Sequence, residues 1–286
     1  MIIINLVKKL FFKFEIFRFY SEYKLVKKFF NFLKNKKKIK NKPNLINLPF
    51  EFYHKKYNIY VNNFDLRSYL ITYKRQHHKI NFLKNNLRKG TFIDIGSNYG
   101  EFSIVLKNYQ KKLYLFGPNK LVYLASKETF KNIPNVKIFN NAVSNVEEKK
   151  TIQIYPFLSG GSNLNLYKQT KYDLFHLPIY FETQTIKIDK FIKNTVKNFK
   201  DVLNIKIDIE GHEVKVLQNL LNISNLKELK LFIMFENNDL ASTNKITIKK
   251  VLKSFANMNF KFIQLIGKVD RKQYGVNNYS SKKYTS

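Results

Sequence analysis

The sequence predicts an α/β protein with a mostly parallel sheet, and two observations support this. From about residue 90, short apolar runs alternate with longer stretches of helical periodicity, which is typical of strand, helix, strand units. Polar or glycine-containing turns follow several of the apolar runs, where a strand would lead into a helix. No internal repeat interrupts this order.

The predicted elements follow one another regularly. The first strand is TFIDI, followed by the turn GSNYG and the amphipathic helix EFSIVLKNY. The second strand is KLYLF, followed by the turn GPNK and the helix LVYLASKETFKN, and VKIFNNAVS is the third strand. After a β-rich insertion come the strand VLNIKID, the helix HEVKVLQNLLN, the strand LKLFIMFE, a helix near residues 246–255 and the strand FKFIQLI.

Length and composition indicate a globular protein of strong positive charge. The chain has 286 residues, and 44% of them are hydrophobic, which is enough for a sizeable core. A formal charge of +32 predicts attraction to nucleic acid, anionic lipid or acidic glycan, although scattered lysines from AT-rich codons explain the charge equally well. With no cysteine, a disulfide framework, a thiolate metal site and a cysteine nucleophile are excluded.

The first 43 residues carry 13 Lys and Arg against 2 Glu. Apolar residues recur there at helical spacing, so we expect an amphipathic helix that lies on an anionic membrane surface or packs on its own domain. The lysine run before Pro43 is typical of a linker, which divides the chain into an extension, residues 1–45, and a main domain, residues 46–286. Charges interrupt any secretory signal and no run is long enough to span a membrane, so a cytoplasmic protein is expected.

The stretch DIGSNYG places Asp94, Gly96 and Gly100 where the first strand turns into a helix. Glycines there let a backbone approach a ligand closely, and an acid at a strand end can accept hydrogen bonds from it. The spacing is that of S-adenosylmethionine folds rather than of the dinucleotide fingerprint, which has another glycine pattern. An ordinary strand-to-helix turn would use the same glycines.

The second strand ends in LYLFGPNK, and Gly117 stands where nucleotide-binding folds have a ribose-binding acid. Loss of a charge-assisted hydrogen bond costs roughly 1.5 to 3 kcal/mol. We expect Asn119 to replace part of the interaction as an uncharged acceptor.

Acidic residues cluster in KIDIEGHE. Asp208 follows a buried strand, so it is expected beside the end of the first strand, and Glu236 at the end of the next strand is expected beside Asp208. Two neighbouring carboxylates indicate general base chemistry or a hard divalent ion. Glu210 and Glu213 fall on the turn and the first helical turn, where the helix dipole alone would explain Glu213.

Histidines give weaker signals. His212 follows the glycine at the helix start and is a candidate base, or else a histidine satisfied within the core. The other four show no ligand spacing with one another: His54, His77, His78 and His176.

Taken in order, these residues resemble the FkbM family of S-adenosylmethionine-dependent O-methyltransferases. The resemblance covers about residues 80–240 and rests on FIDIGSNYGEFS, FGPN, NNAVSN, SGGSNL, TQTIKIDKFI, IKIDIEGHEVKVL and FIMFENN. It implies a class I methyltransferase fold, Rossmann-like, with a seven-stranded sheet and helices on both faces. It also implies transfer of a methyl group to oxygen, often on sugars of bacterial surface polysaccharides or on natural products.

The resemblance also implies site residues. The methionine and ribose side of the cofactor would contact Asp94, Gly96, Ser97, Asn98 and Gly100. Gly117, Pro118 and Asn119 would lie at the ribose, Asn141 and Ala142 near adenine, and Asp208 and Glu210 belong to the acidic signature. Gly117 departs from the family, which usually has Glu before Pro-Asn, and the ending YGVNNYSSKKYTS is weak as a final strand.

The sequence therefore favours an enzyme in which Asp208, His212 or Glu236 removes the proton of an acceptor hydroxyl, on a small molecule or glycan, and no residues are assigned to a metal site. A loop at residues 157–164, FLSGGSNL, is expected over the acceptor pocket. The alternative is a binding protein that keeps the fold but has lost the cofactor. A nucleic acid methyltransferase is disfavoured because no base-flipping motif or aromatic stacking platform occurs.

Overall fold

The computed structural model describes residues 43–65, 76–155, 159–162, 164, 179–195, 201–236, 245–268 and 278–284. The helix expected within the first 43 residues, His176 and part of the loop at 157–164 lie outside these ranges. None of the helices in the described ranges is long and apolar enough to cross a membrane.

Strands and helices alternate along most of the chain. The first half contains β1 (Leu45–Phe52), β2 (Lys55–Asn62), α1 (His77–Asn86), β3 (Thr91–Ile95), α2 (Glu101–Leu106), β4 (Lys112–Phe116), α3 (Lys120–Phe130), β5 (Val136–Phe139) and β6 (Ala142–Ser144). The second half contains β7 (Lys149–Ile154), a 3₁₀ turn (Ser159–Gly161), β8 (Ile179–Lys187), α4 (Ile188–Thr195), β9 (Val202–Ile207), α5 (Glu213–Leu220), a 3₁₀ turn (Leu226–Glu228), β10 (Lys230–Phe235), α6 (Lys245–Ala256), β11 (Phe262–Lys268) and β12 (Asn278–Tyr284).

The centre of the molecule is a five-stranded parallel sheet in the order β10, β9, β3, β4, β5. Numbered by their place in the chain and read from β5, these strands have the order 3-2-1-4-5, which is that of doubly wound α/β folds. The α/β class and the parallel sheet are confirmed. The order reverses between β3 and β9, and ligands bind at such a point, beyond the carboxyl ends of the strands.

Helices cover both faces of this sheet. Alternate residues of each strand point to opposite faces, so Phe92 joins one apolar cluster while Ile93 and Ile95 join another. The cluster of Phe92 includes residues of α2, α3 and the β1–β2 hairpin. The other cluster includes residues of α4, α5 and α6, which confirms the expected layers.

Two details differ from the expectations. The predicted third strand VKIFNNAVS is two strands, because the chain leaves β5 after Phe139 and re-enters a different sheet as β6. That second sheet has the order β6, β8, β7. Within the described residues the parallel sheet has five strands rather than the seven implied by the resemblance, since β11 pairs with β12 in a separate antiparallel pair.

Candidate functional site

The candidate site lies beyond the carboxyl ends of β3, β9 and β10. The backbone N–H of Asp208 donates to the carbonyl of Ile95 at 3.0 Å, and that of Glu236 donates to the carbonyl of Ile207 at 3.1 Å. These bonds extend the ladder beyond the strands, so Asp208 lies beside the end of β3 and Glu236 beside Asp208, as the sequence predicts.

Three acids converge at this edge. Asp208, Glu210 and Glu236 each contribute one carboxylate oxygen to a group in which all the oxygens lie within 4.8 Å of one another. Burial, and then the charge of Asp208, raise the pKa of Glu236. The Lys79 ammonium lies 3.5 Å from Glu236 and compensates part of the charge. This group can share a proton, and its oxygens could also hold a hard divalent cation.

A further residue of the site, which was not predicted from the sequence, is Lys206 on β9. Its Nζ donates to Asp94 Oδ1 at 3.0 Å and to the carbonyl of Gly96 at 3.1 Å, and lies 3.9 Å from Asp208 Oδ2. The ammonium is also 4.9 Å from the centre of the Phe102 ring. Burial lowers the pKa of Lys206, but Asp94 and Asp208 outweigh burial and the net pKa is raised. Lys206 is therefore charged.

Asp94 supports the turn from within. Its side chain is 0% exposed; Oδ1 accepts from Lys206, and Oδ2 accepts from the Ser103 hydroxyl at 2.7 Å. Burial raises the pKa of this carboxyl, against the effect of Lys206. The sequence-based expectation that Asp94 accepts hydrogen bonds from a ligand does not match this geometry, because both oxygens are directed at protein groups.

The turn after β3 depends on its glycines. Gly96 and Gly100 have φ angles of +78° and +84°, a region that disfavours other residues. A Cβ at Gly100 would lie 2.5 Å from the Phe130 ring, so glycine also lets α3 pack closely. The N–H groups of Gly96 and Ser97 donate to the carbonyl of Phe116 at 3.0 and 3.1 Å, which joins this turn to the end of β4.

Gly117 has room for a side chain. A Cβ there would have one neighbour within 4 Å, the Ser97 hydroxyl oxygen at 3.7 Å, and its φ lies outside the left-handed region. The Gly117 backbone is fixed on both sides, since its N–H donates to Phe139 and its carbonyl accepts from Asn140 Nδ2. No steric reason for glycine exists among the described residues, so this position differs from Gly96 and Gly100.

Asn119 caps helix α3. Its Oδ1 accepts from the N–H groups of Leu121 and Val122 at 3.1 and 3.4 Å. Its Nδ2 is buried and has no partner within the part of the chain that the structure describes. Because the oxygen of Asn119 is engaged in the helix cap, the group that remains for a ribose is the Nδ2 donor rather than the acceptor that the sequence predicted.

The remaining candidate cofactor residues line the same edge. Pro118 lies between Gly117 and Asn119, and Asn141 and Ala142 lie where the chain passes from β5 to β6. Asn141 donates to the carbonyl of Gln184 at 3.1 Å, and Ala142 is buried. None of these contacts was visible in the sequence.

The 3₁₀ turn at Ser159 contacts the turn after β3. The Ser159 hydroxyl and the Asn98 amide group lie at 3.4 Å, and the Ser159 N–H donates to Asp65 at 3.3 Å. Asp65 also accepts from the hydroxyl of the buried Tyr99 at 2.6 Å. The described part of the predicted loop over the acceptor pocket is thus joined to the candidate cofactor turn.

His212 contacts β6. Its Nε2 is 2.9 Å from the Ser144 hydroxyl of β6, and the residue is 2% exposed. Burial, followed by Lys215 and Lys150, lowers the pKa of His212 to about 4. Glu213 beside it accepts from the N–H groups of Ile209 and Gly211, which lie in the turn before α5, so this carboxylate fixes the turn. The expected interaction of Glu213 with the helix dipole stays a prediction.

Comparison with protein families gives a match to the model of the methyltransferase FkbM domain over residues 94–262. The matched region begins at Asp94, near the end of β3, and includes the elements from α2 to α6 and the acids described above. Comparison with curated protein sequences gives no match.

Comparison with solved structures gives several matches of low sequence identity. These include an rRNA methylase from Streptococcus thermophilus (11% identity, 72% of this chain and 90% of that chain, TM-score 0.35). They also include a Streptococcus mutans protein solved in complex with SAH (13% identity, 71% and 92%, TM-score 0.37). A third is the precorrin-6y C5,15-methyltransferase from Geobacter metallireducens (10% identity, 74% and 88%, TM-score 0.36).

Proposed function

Because this chain belongs to the FkbM methyltransferase family, we propose that it uses S-adenosylmethionine to methylate a hydroxyl of a sugar in a surface glycan or polysaccharide. The observation that carries the proposal is the acidic group of Asp208, Glu210 and Glu236 at the sheet's switch point, in a chain of formal charge +32. A carboxylate-lined crevice in a basic protein suits a ligand whose sulfonium and ammonium groups are positive.

The residues present fit this cofactor. The glycine turn allows a close backbone approach, and the buried Asn119 Nδ2 is a donor for a ribose hydroxyl. When bound, the cofactor would supply an electrophilic methyl group. The residues that would hold it are Gly96, Ser97, Asn98, Gly100, Gly117, Pro118, Asn119, Asn141, Ala142, Asp208 and Glu210. Asp94 would support the turn from within, through its bonds to Ser103 and Lys206, without contacting the cofactor.

In this proposal Asp208 and Glu236 handle the proton of the acceptor hydroxyl. Their oxygens lie together, and the raised pKa of Glu236 suits a group that takes up a proton as the new bond forms. His212 is the weakest of the three candidates for the base, since its ring faces Ser144 and is buried. Alignment of the hydroxyl with the methyl group would supply much of the remaining rate enhancement of methyl transfer.

Gly117 favours a second candidate, a methyltransferase-fold binding protein with weak or no catalysis. The space at Gly117 is where the family's ribose-binding acid would stand, and the absence of that acid lowers the affinity for the cofactor.

We propose a cytoplasmic location for either function, with peripheral contact to anionic membrane through residues 1–43 and no specific nucleic acid partner.

Calorimetric titration with S-adenosylhomocysteine, followed by methyl transfer from labelled cofactor to candidate glycans, tests both candidates. The enzyme proposal expects binding and transfer, with transfer falling about a hundredfold or more in Asp208→Asn. Binding without transfer to any glycan would support the second candidate. A folded protein that gives no heat at millimolar ligand would exclude cofactor use.

A further inference from the structure

We propose that Lys206 is a positioning residue, which fixes the turn after β3 and the acid Asp208 relative to each other. The part of this proposal that concerns cofactor binding rests on the proposed function. The part that concerns how Lys206 fixes the turn and Asp208 does not. Lys206 contacts neither the cofactor nor the acceptor in this proposal.

The contacts of Lys206 join three segments. From β9, its ammonium reaches Asp94 on β3, the Gly96 carbonyl in the turn and the Asp208 carboxylate beyond β9. The lysine side chain is 3% exposed, so water cannot replace these partners. An ammonium has three donors, and two of them are directed at Asp94 Oδ1 and the Gly96 carbonyl. Asp208 Oδ2, at 3.9 Å, is an ion-pair partner beyond hydrogen-bond distance.

Removal of this charge would affect both sides of the crevice. Asp94 lies on β3 and Asp208 directly after the adjacent strand β9, and without a cation between them their carboxylates would repel each other. The Gly96 carbonyl would also lose its donor. Since Gly96 and Asp208 both line the candidate site, a shift of either changes the shape of the crevice.

Asn204 provides a matched control within the same strand. It lies two residues before Lys206 on the same face of β9, and it is equally buried. Its Nδ2 donates to the carbonyl of Arg88 and to Gln110 Oε1, away from the acids. The Asn204→Leu variant therefore removes a buried polar group of β9 without touching the site.

The experiment compares wild type, Lys206→Met, Asp94→Asn/Lys206→Met and Asn204→Leu. Lys206→Met alone leaves the buried Asp94 carboxylate without its cation, which could prevent folding. The double variant also removes the charge of Asp94, so it is expected to fold even if Lys206→Met does not. For each protein, hydrogen exchange of residues 96–100 and 208–213 and S-adenosylhomocysteine affinity by calorimetry are measured.

We expect faster exchange in both segments and an affinity loss of about tenfold or more in the two variants that lack Lys206. Asn204→Leu is expected to lose stability while its exchange in these segments and its affinity stay at the wild-type values. Unchanged exchange in both segments of the double variant, or an equal effect of Asn204→Leu, would overturn the proposal. If wild type itself gives no binding, the proposed function fails and the exchange result alone decides the role of Lys206.

Discussion

The backbone of Gly96 lies directly against the backbone of Asp208. A Cβ at Gly96 would lie 1.9 Å from the carbonyl oxygen of Asp208 and 2.9 Å from Cγ2 of Ile209. The two motifs that carry the family resemblance, 112 residues apart, are therefore in van der Waals contact. Together they form one wall of the candidate site.

Gly96→Ala is expected to destabilise the protein by about 3 kcal/mol or more, because the methyl group meets backbone and the φ of +78° disfavours alanine. Urea unfolding followed by circular dichroism measures this. Gly117→Ala is the matched control, since its methyl group has room, and we expect a change within about 1 kcal/mol. Equal effects of the two substitutions would contradict the close contact.

Gly117→Glu is expected to tighten S-adenosylhomocysteine binding by about tenfold to a hundredfold, because it adds a charged acceptor for ribose hydroxyls. The space at this position accepts a Cβ with only the Ser97 hydroxyl nearby, so folding should be retained. Calorimetry measures the affinity. Gly117→Gln has the same size without the charge and should give a smaller gain. An affinity unchanged or weakened in the Glu variant would mean that the ribose lies elsewhere.

The sequence predicted the position of Asp208 beside Glu236 because parallel strands end at one edge of a sheet, so strand order alone brings these residues together. It did not predict the contacts of Lys206, since the pairing with Asp94 is formed only in the tertiary structure. A signal was present nevertheless. Asn204 and Lys206 alternate with apolar residues in β9, which marks a strand face that needs polar partners.

Two local features also escaped prediction. The β1–β2 hairpin turns at Tyr53 and His54, both at positive φ, where glycine or asparagine is the usual signal and neither is present. Asn119 carried a recognisable signal, because it directly precedes a helical run and asparagine is a preferred N-cap. A capping asparagine directs its oxygen at the N–H groups of the helix, so this signal predicts that the oxygen of Asn119 is not available to the ribose.

Glu210→Gly is expected to keep or raise stability by about 1 kcal/mol while S-adenosylhomocysteine binding weakens. Glu210 has a φ of +54°, a conformation that glycine adopts without strain, yet its carboxylate belongs to the acidic group. Urea unfolding and calorimetry give the two values. Asn225→Gly is the matched control, since Asn225 also has a positive φ, +62°, but is not part of the acidic group. This substitution should change neither cofactor binding nor the fold. Unchanged binding in Glu210→Gly would remove Glu210 from the cofactor site.

His212 should make stability depend on pH between about 6.5 and 4. Burial lowers the pKa of His212 to about 4, so the folded protein holds the neutral ring while the unfolded chain takes up a proton near pH 6.5. The stabilisation is complete above that value and is lost as pH falls towards 4, by about 2 to 3 kcal/mol. Lys215 and Lys150 act in the same direction as burial, and Glu148 opposes them.

Urea unfolding at several pH values should show a shallower pH dependence in His212→Gln, whose amide can still bond to Ser144. His78→Gln is the necessary comparison, because burial and Lys79 lower the pKa of His78 to about 4 as well. His78 is only partly buried, so its share of the pH dependence should be smaller. If wild type and His212→Gln lose the same stability between pH 6.5 and 4, the ring of His212 is not held neutral by the fold.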